Sequence, residues 1–308
     1  GPQNAGGLLG SAKQTVRTNK NIAATGIALL LEPGSRAALI GSQIENSTYK
    51  NISVTAPTAA GGFVGYIDND AKSSLVNTDT TEMIVGQASQ IGTTGNAPTY
   101  AGGAFGYIKA SSKYYAGGIL GHSSGNCTIL KCQTIQARIE SADNSDGTAS
   151  YGAGGIIGKT EGNNNSSTIT ECTVQQVSII SGKAGGIAGS TSSNLTVQGC
   201  MVQASDAAVY EISGQQTAGG IIGFSTASGK KISIKQCKVK KMKMASSSWG
   251  CGGLLGDVDW NAGLDTLFVF DCAIESSEVH GKTNAASAGG MVGDIRGKMI
   301  ASNLLLND

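Results

Sequence analysis

Charge, aromatic rings, proline and histidine are all scarce in this chain of 308 residues. Lys, Arg, Asp and Glu together make up 14 % of it, aromatics 5 %, and there are four prolines and two histidines; an ordinary soluble domain is about one-quarter charged. The formal net charge is +1, so no overall attraction to polyanions is encoded and nucleic acid is not an expected partner. The longest apolar run, Ile27 to Leu31, is far shorter than the ~20 residues of a membrane span. Poverty of charge does not mean disorder here, because 40 % of the residues are hydrophobic and can supply a core. Gly1-Pro2 is expected to be the remnant of a cleaved tag, with residues 3–308 forming a single repeat domain and any targeting signal lost.

What is abundant is glycine, 46 residues, and it is arranged. A phrase of one small residue, two glycines, two apolar residues and a glycine begins at Ala5, Ala60, Ala101, Ala116, Ala153, Ala184, Ala218, Cys251 and Ala288, with a degenerate copy at Arg36. From Ala116 onward the copies are spaced by 31 to 37 residues. Between them lie alternating β-branched runs broken by a Cys or Asn, such as Thr168–Val177, Ile232–Val239 and Leu267–Ile274. Period-two alternation denotes strands with one buried face. No segment has the 3.6-residue period of a helix.

Each unit holds two or three short strands, too few to bury a face alone, so units must stack. The expected fold is all-β, a right-handed parallel β-helix of about nine coils. Paired glycines suit its sharp corners, either through positive φ or through close backbone approach. An irregular insertion is expected near residues 100–116, where two copies are only 15 residues apart. The units from Ala153 through Ala184 resemble the GLUG-type repeats of large bacterial surface and secreted proteins. That resemblance implies a solenoid stalk of adhesin type, extracellular or on the cell surface, flanked by neighbouring repeats of a larger parent chain.

Cys132, Cys172, Cys200, Cys237 and Cys272 share one slot of the repeat, which Asn51, Asn77 and Asn303 fill elsewhere. An inward slot would make them a column of buried free thiols, small core residues and not metal ligands. No metal, cofactor or catalytic residue is assigned. Lysines concentrate at 230, 231, 235, 238, 240, 241 and 243, alternating with apolar residues. They project from strands as a solvated face or a contact for an acidic glycan. Without interleaved aromatics, single-stranded nucleic acid would lack a stacking platform.

The residue after each phrase should form one ladder: Ser11, Ser42, Tyr66, Tyr107, His122, Lys159, Ser190, Phe224, Asp257 and Asp294. Two parts of it are candidate sites. Tyr66, Tyr107, Tyr114 and Tyr115 could cover sugar rings, with Tyr66 expected beside Tyr107. Asp257, Asp259 and Asp294 form an acidic cluster on adjacent coils that could act as general acid and base or hold calcium. The expected function is a non-enzymatic extracellular scaffold that binds a glycan or a host or cell-surface protein in adhesion. The alternative is a carbohydrate-active β-helix enzyme, a polysaccharide hydrolase or lyase, working through the three aspartates.

Overall fold

The computed structural model is all-β, built from short strands with no helix among the described residues. It describes residues 115–307 apart from 124–125, 131, 136, 142–151, 163–164, 208, 227, 260–263 and 285, and ahead of residue 115 it describes short strands between residues 3 and 107. One coil shows the plan. The chain runs through Ser178–Gly185 in a first sheet, Ala188–Thr191 in a second, Asn194–Gln198 in a third and Met201–Gln203 in a fourth, then re-enters the first at Glu211–Gly219. Each strand pairs in parallel with its equivalent one coil on, Ala184 with Ala218, Ala188 with Ile222, Val197 with Ile234 and Val202 with Val239. This is the stacked solenoid that the repeat demands.

Among the described residues the third and fourth sheets each hold nine strands. From Ser166 onward, where side chains are described almost throughout, five third-sheet strands follow one another, ending at Gly297–Ser302. About five turns, against the nine coils expected, can therefore be followed rung by rung with their side chains described.

Alternation in the sequence becomes alternation in burial. In Lys231–Lys235 the two isoleucines point inward and the two lysines and Ser233 outward. Inward residues stack on their own kind: Ile187, Ile221 and Leu254 are fully buried, as are Val202 and Val239. Burying each such side chain is worth about 1.5–3 kcal/mol, and the in-register ladder repeats that gain on every rung.

The phrase glycines act through space and not through φ. Among the described residues positive-φ glycines are Gly162, Gly199, Gly229 and Gly297, none of them in the phrase. A Cβ on Gly185 would overlap the Ala188 carbonyl and come 2.5 Å from the Gly223 nitrogen, while one on Gly186 would overlap the Gly220 carbonyl of the next coil. Two strands meeting at this arch lie too close for any side chain between them. The left-handed corners fall elsewhere, at Glu171, Gly199, Gln236, Asp271 and Asn303 before the cysteine slot, and at Gln176, Lys241 and Ser276 after the fourth-sheet strand. A left-handed non-glycine residue costs about 1–2 kcal/mol, and the ladder holds it in place: the amides of Glu171, Gln236 and Asp271 donate to Gln198, Phe270 and Ser302 of the following coil.

The cysteines do line up as buried free thiols. Cys172, Cys200, Cys237 and Cys272 each sit one residue past a left-handed corner, where the regular amide ladder is interrupted. The Cys172 amide donates to the Cys200 Sγ at 3.4 Å, and the Cys132 amide to the Cys172 Sγ at 3.4 Å. In turn the Cys237 thiol donates to Lys235 O at 3.2 Å and to Val197 O of the previous coil at 3.5 Å. Sulfur thus satisfies backbone groups that an alkyl side chain would leave bare. Asn303 does not occupy this slot. Ala273 pairs with Leu305, which puts Leu304 opposite Cys272 and Asn303 opposite Asp271; there Asn303 takes the left-handed corner and donates to Asp271 Oδ1 at 2.8 Å.

Candidate functional site

The ladder after the phrase runs along the second sheet as Tyr66, His122, Lys159, Ser190, Phe224 and Asp257. A bridge from Leu255 to Val292 carries the same register on, bringing Asp294 beside Asp257. Tyr107 is not a member. Its short strand, Gly106–Tyr107, leaves the second sheet and pairs with Ala137–Arg138, so the neighbour of Tyr66 is His122 and not Tyr107. The side chains of Tyr66 and Tyr107, and all of Tyr114, lie outside the described residues.

A second row faces this one from the first sheet: Tyr100, Tyr115, Gly152, Lys183 and Thr217. The two rows interlock because the arch brings their strands together. Lys159 Nζ donates to the Tyr115 hydroxyl at 2.8 Å, and the Tyr115 and His122 rings are 5.2 Å apart. Glu161 accepts from Lys159 at 2.6 Å and lies 3.1 Å from His122 Nε2. Burial pushes the Glu161 carboxyl up, but the hydrogen bond and charge of His122 together with Lys159 outweigh it and hold the group at about 2. One coil on, glycine replaces tyrosine; a Cβ at Gly152 would stand 2.8 Å from the Ser190 Oγ. Next, Lys183 Nζ lies 3.8 Å above the Phe224 ring and 5.5 Å from that of Trp249.

The acidic cluster lies at the far end of this seam. Asp257 is 7 % exposed and Lys183 4 %. Burial, with Asp294 and Asp259 nearby, raises the Asp257 carboxyl to about 7, against the pull of Lys183. Burial likewise lowers the Lys183 amine to about 8, against Asp259 and Asp257. An acid and an amine that both titrate near neutrality could exchange protons, but the seam offers a substrate little entry. Tyr115 is similarly enclosed, 5 % exposed. Among the described residues no three His, Cys, Asp or Glu side chains converge on a metal position, and no helix is long and apolar enough to cross a membrane.

An open site lies instead on the outer face of the third sheet, where a groove of about 710 Å³ crosses several coils. Thr196 comes from one coil, Lys231, Ser233 and Lys235 from the next, and Phe268 and Phe270 from the one after. Register explains the assembly: Thr196 pairs with Ser233, Ser233 with Phe268 and Lys235 with Phe270. The two rings are 6.2 Å apart, and Lys235 Nζ lies 5.9 Å from the Phe270 centroid. The Ser233 hydroxyl is buried beneath these side chains and has no hydrogen-bond partner among the described residues. Among the described residues no carboxylate lines the groove. Lys238 and Lys240, by contrast, flank Glu275 on the fourth sheet, at 2.6 and 3.9 Å. The lysine run thus divides between two faces. Sequence spacing could not reveal the aromatic neighbours of Lys235, because they arrive one coil later.

No family model matches the sequence, and no curated protein matches it. In architecture the chain is similar to the crystal structure of a candidate immunoglobulin A1 protease from Bacteroides ovatus. The TM-score is 0.49 at 15 % identity, covering 88 % of this chain and 78 % of that one.

Proposed function

We propose that the chain is a non-enzymatic β-solenoid of the surface or secreted kind, which presents a ligand-binding face in the manner of an adhesin. The single observation that carries this reading is the groove on the third sheet. It places two aromatic rings, hydroxyls and lysines on the open side of an otherwise repetitive scaffold. Variable outward positions on a uniform rod are where a binding function is grafted without cost to the core. The resemblance of the repeats to the GLUG type supports extracellular display. Ligands of the appropriate kind are glycans or glycosylated proteins on a cell surface.

The carbohydrate-active alternative needs two carboxylates facing a substrate channel. Asp257 is enclosed in the seam, and among the described residues the groove has no carboxylate of its own. Probing the full chain against a glycan array, beside a Phe268→Leu/Phe270→Leu variant, tests the reading. Glycan binding that the variant loses while its melting temperature holds is expected. Reducing-sugar release from a polysaccharide that disappears in Asp257→Asn/Asp294→Asn would overturn it.

A further inference from the structure

The groove carries a chemical signature beyond openness. Its aromatic carbon is not laid out as a flat apolar patch. Phe268 and Phe270 are two residues apart on one outward face, tilted 34° to each other, and half-buried by their neighbours. Rings so held offer faces that a sugar can cover with its C–H side. Beside them the preceding coil supplies two ammonium groups.

Lys231 and Lys235 stand four residues apart on the same face, about 13 Å along the strand, with Ser233 between them. Lys235 has no ion-pair partner among the described residues; its amine leans toward the Phe270 ring at 5.9 Å. Lys231 has Asp265 at 3.7 Å, and both side chains are more than half exposed, so a ligand anion can displace that contact readily. Two under-compensated cations, on a floor without a carboxylate among the described residues, attract negative charge. The hydroxyl of Thr196 suits a polyhydroxylated ligand.

Building on the glycan-binding role proposed for this groove, we infer that it binds an acidic oligosaccharide. The sugar's ring faces rest on Phe268 and Phe270, its carboxylate or sulfate groups sit between Lys231 and Lys235, and its hydroxyls reach Thr196. A single-stranded nucleic acid would also use rings and lysines. The near-neutral chain and the hydroxyl-lined floor favour the sugar.

The test is titration calorimetry of the full chain with an oligogalacturonate, a sulfated chondroitin tetrasaccharide and a sialylated trisaccharide, each beside its neutral parent, and with a short oligothymidylate. At least one acidic glycan should bind, about tenfold or more tightly than its neutral parent, and weaken as salt rises. Which of them binds separates carboxylate from sulfate as the anion. Lys231→Gln/Lys235→Gln should remove that preference. Lys238→Gln/Lys240→Gln, with the same change of net charge on the fourth sheet, should keep it. Phe268→Leu/Phe270→Leu should abolish binding while retaining apolar bulk. Equal binding of acidic and neutral glycans would overturn the acidic inference while leaving glycan binding intact, and tighter binding of oligothymidylate would overturn it in favour of nucleic acid. If no glycan binds, both this inference and the glycan reading beneath it fail.

Discussion

Replacing Asp257 by asparagine removes a carboxyl that the fold holds against its own ionisation. In the unfolded chain this group titrates near 3.8; in the folded seam burial and its acidic neighbours raise it to about 7. Between those values the folded protein keeps a proton that the unfolded chain has lost. Stability therefore falls as pH rises from about 4 to about 7, and is level above that. A shift of about three units at 1.36 kcal/mol each amounts to about 4 kcal/mol at full extent. Asparagine retains an oxygen for the Val258 backbone amide, which hydrogen-bonds the carboxylate, but it cannot ionise. The variant should match the wild type at pH 4 and exceed it by several kcal/mol at pH 8. Urea midpoints measured at unit steps from pH 4 to 8 give the difference directly, provided both proteins unfold in one transition. A variant less stable than wild type at pH 8, or one retaining the wild-type pH slope, would refute the reasoning.

Glu161→Gln tests the other end of the seam with opposite sign. Its carboxyl is held at about 2 against an ordinary 4.5, so its contribution is present above pH 4.5 and is lost as pH falls toward 2; the variant should be less stable at pH 6 and lose less on acidification, again by urea midpoint. The thiol column should be inert. The Cys200 thiol beside it and burial hold Cys237 up at about 12, and burial pushes up Cys172, so a thiol-reactive dye at pH 8 should label Cys172, Cys200, Cys237 and Cys272 only at the rate of unfolding; labelling within seconds in native buffer would contradict the column. Two alanine substitutions separate the uses of glycine. Gly220→Ala drives a Cβ into the Gly253 carbonyl and should cost more than about 4 kcal/mol or prevent folding, whereas Gly229→Ala meets nothing within 4 Å at a φ of +64° and should cost about 1 kcal/mol, as read from denaturation midpoints.

The repeat makes the coil legible from sequence alone. Identical phrases at near-constant spacing force equivalent residues into ladders, which is why the cysteine column and the adjacency of Asp257 and Asp294 follow from counting. Counting fails where the period does. The copy at Ala101 sends Tyr107 out of the second sheet, so the tyrosine pairing drawn from position in the phrase missed His122. Glycine identity showed that an arch was needed but not its reason; steric closeness and positive φ leave the same letter, and here the left-handed corners went to Glu171, Gln236 and Asp271. Asn303 was misplaced for a related reason, since asparagine suits a left-handed corner better than a core slot. The groove was the least legible feature. Its residues come from coils about 35 residues apart, and only the register between strands shows that Lys235 and Phe270 are neighbours.

That register is the claim on which the sites depend, and a distance between two spin labels tests it most directly. Labels introduced at Thr168 and Ile300 through an unnatural amino acid leave the buried thiols untouched. These positions belong to one outward ladder through Thr196, Ser233 and Phe268, four rungs apart, which gives about 19 Å at the inter-strand spacing. A narrow distribution centred there, widened only by the label arms, is the predicted result. A broad distribution, or a centre beyond about 30 Å, would contradict rung-to-rung stacking and dissolve the groove with it.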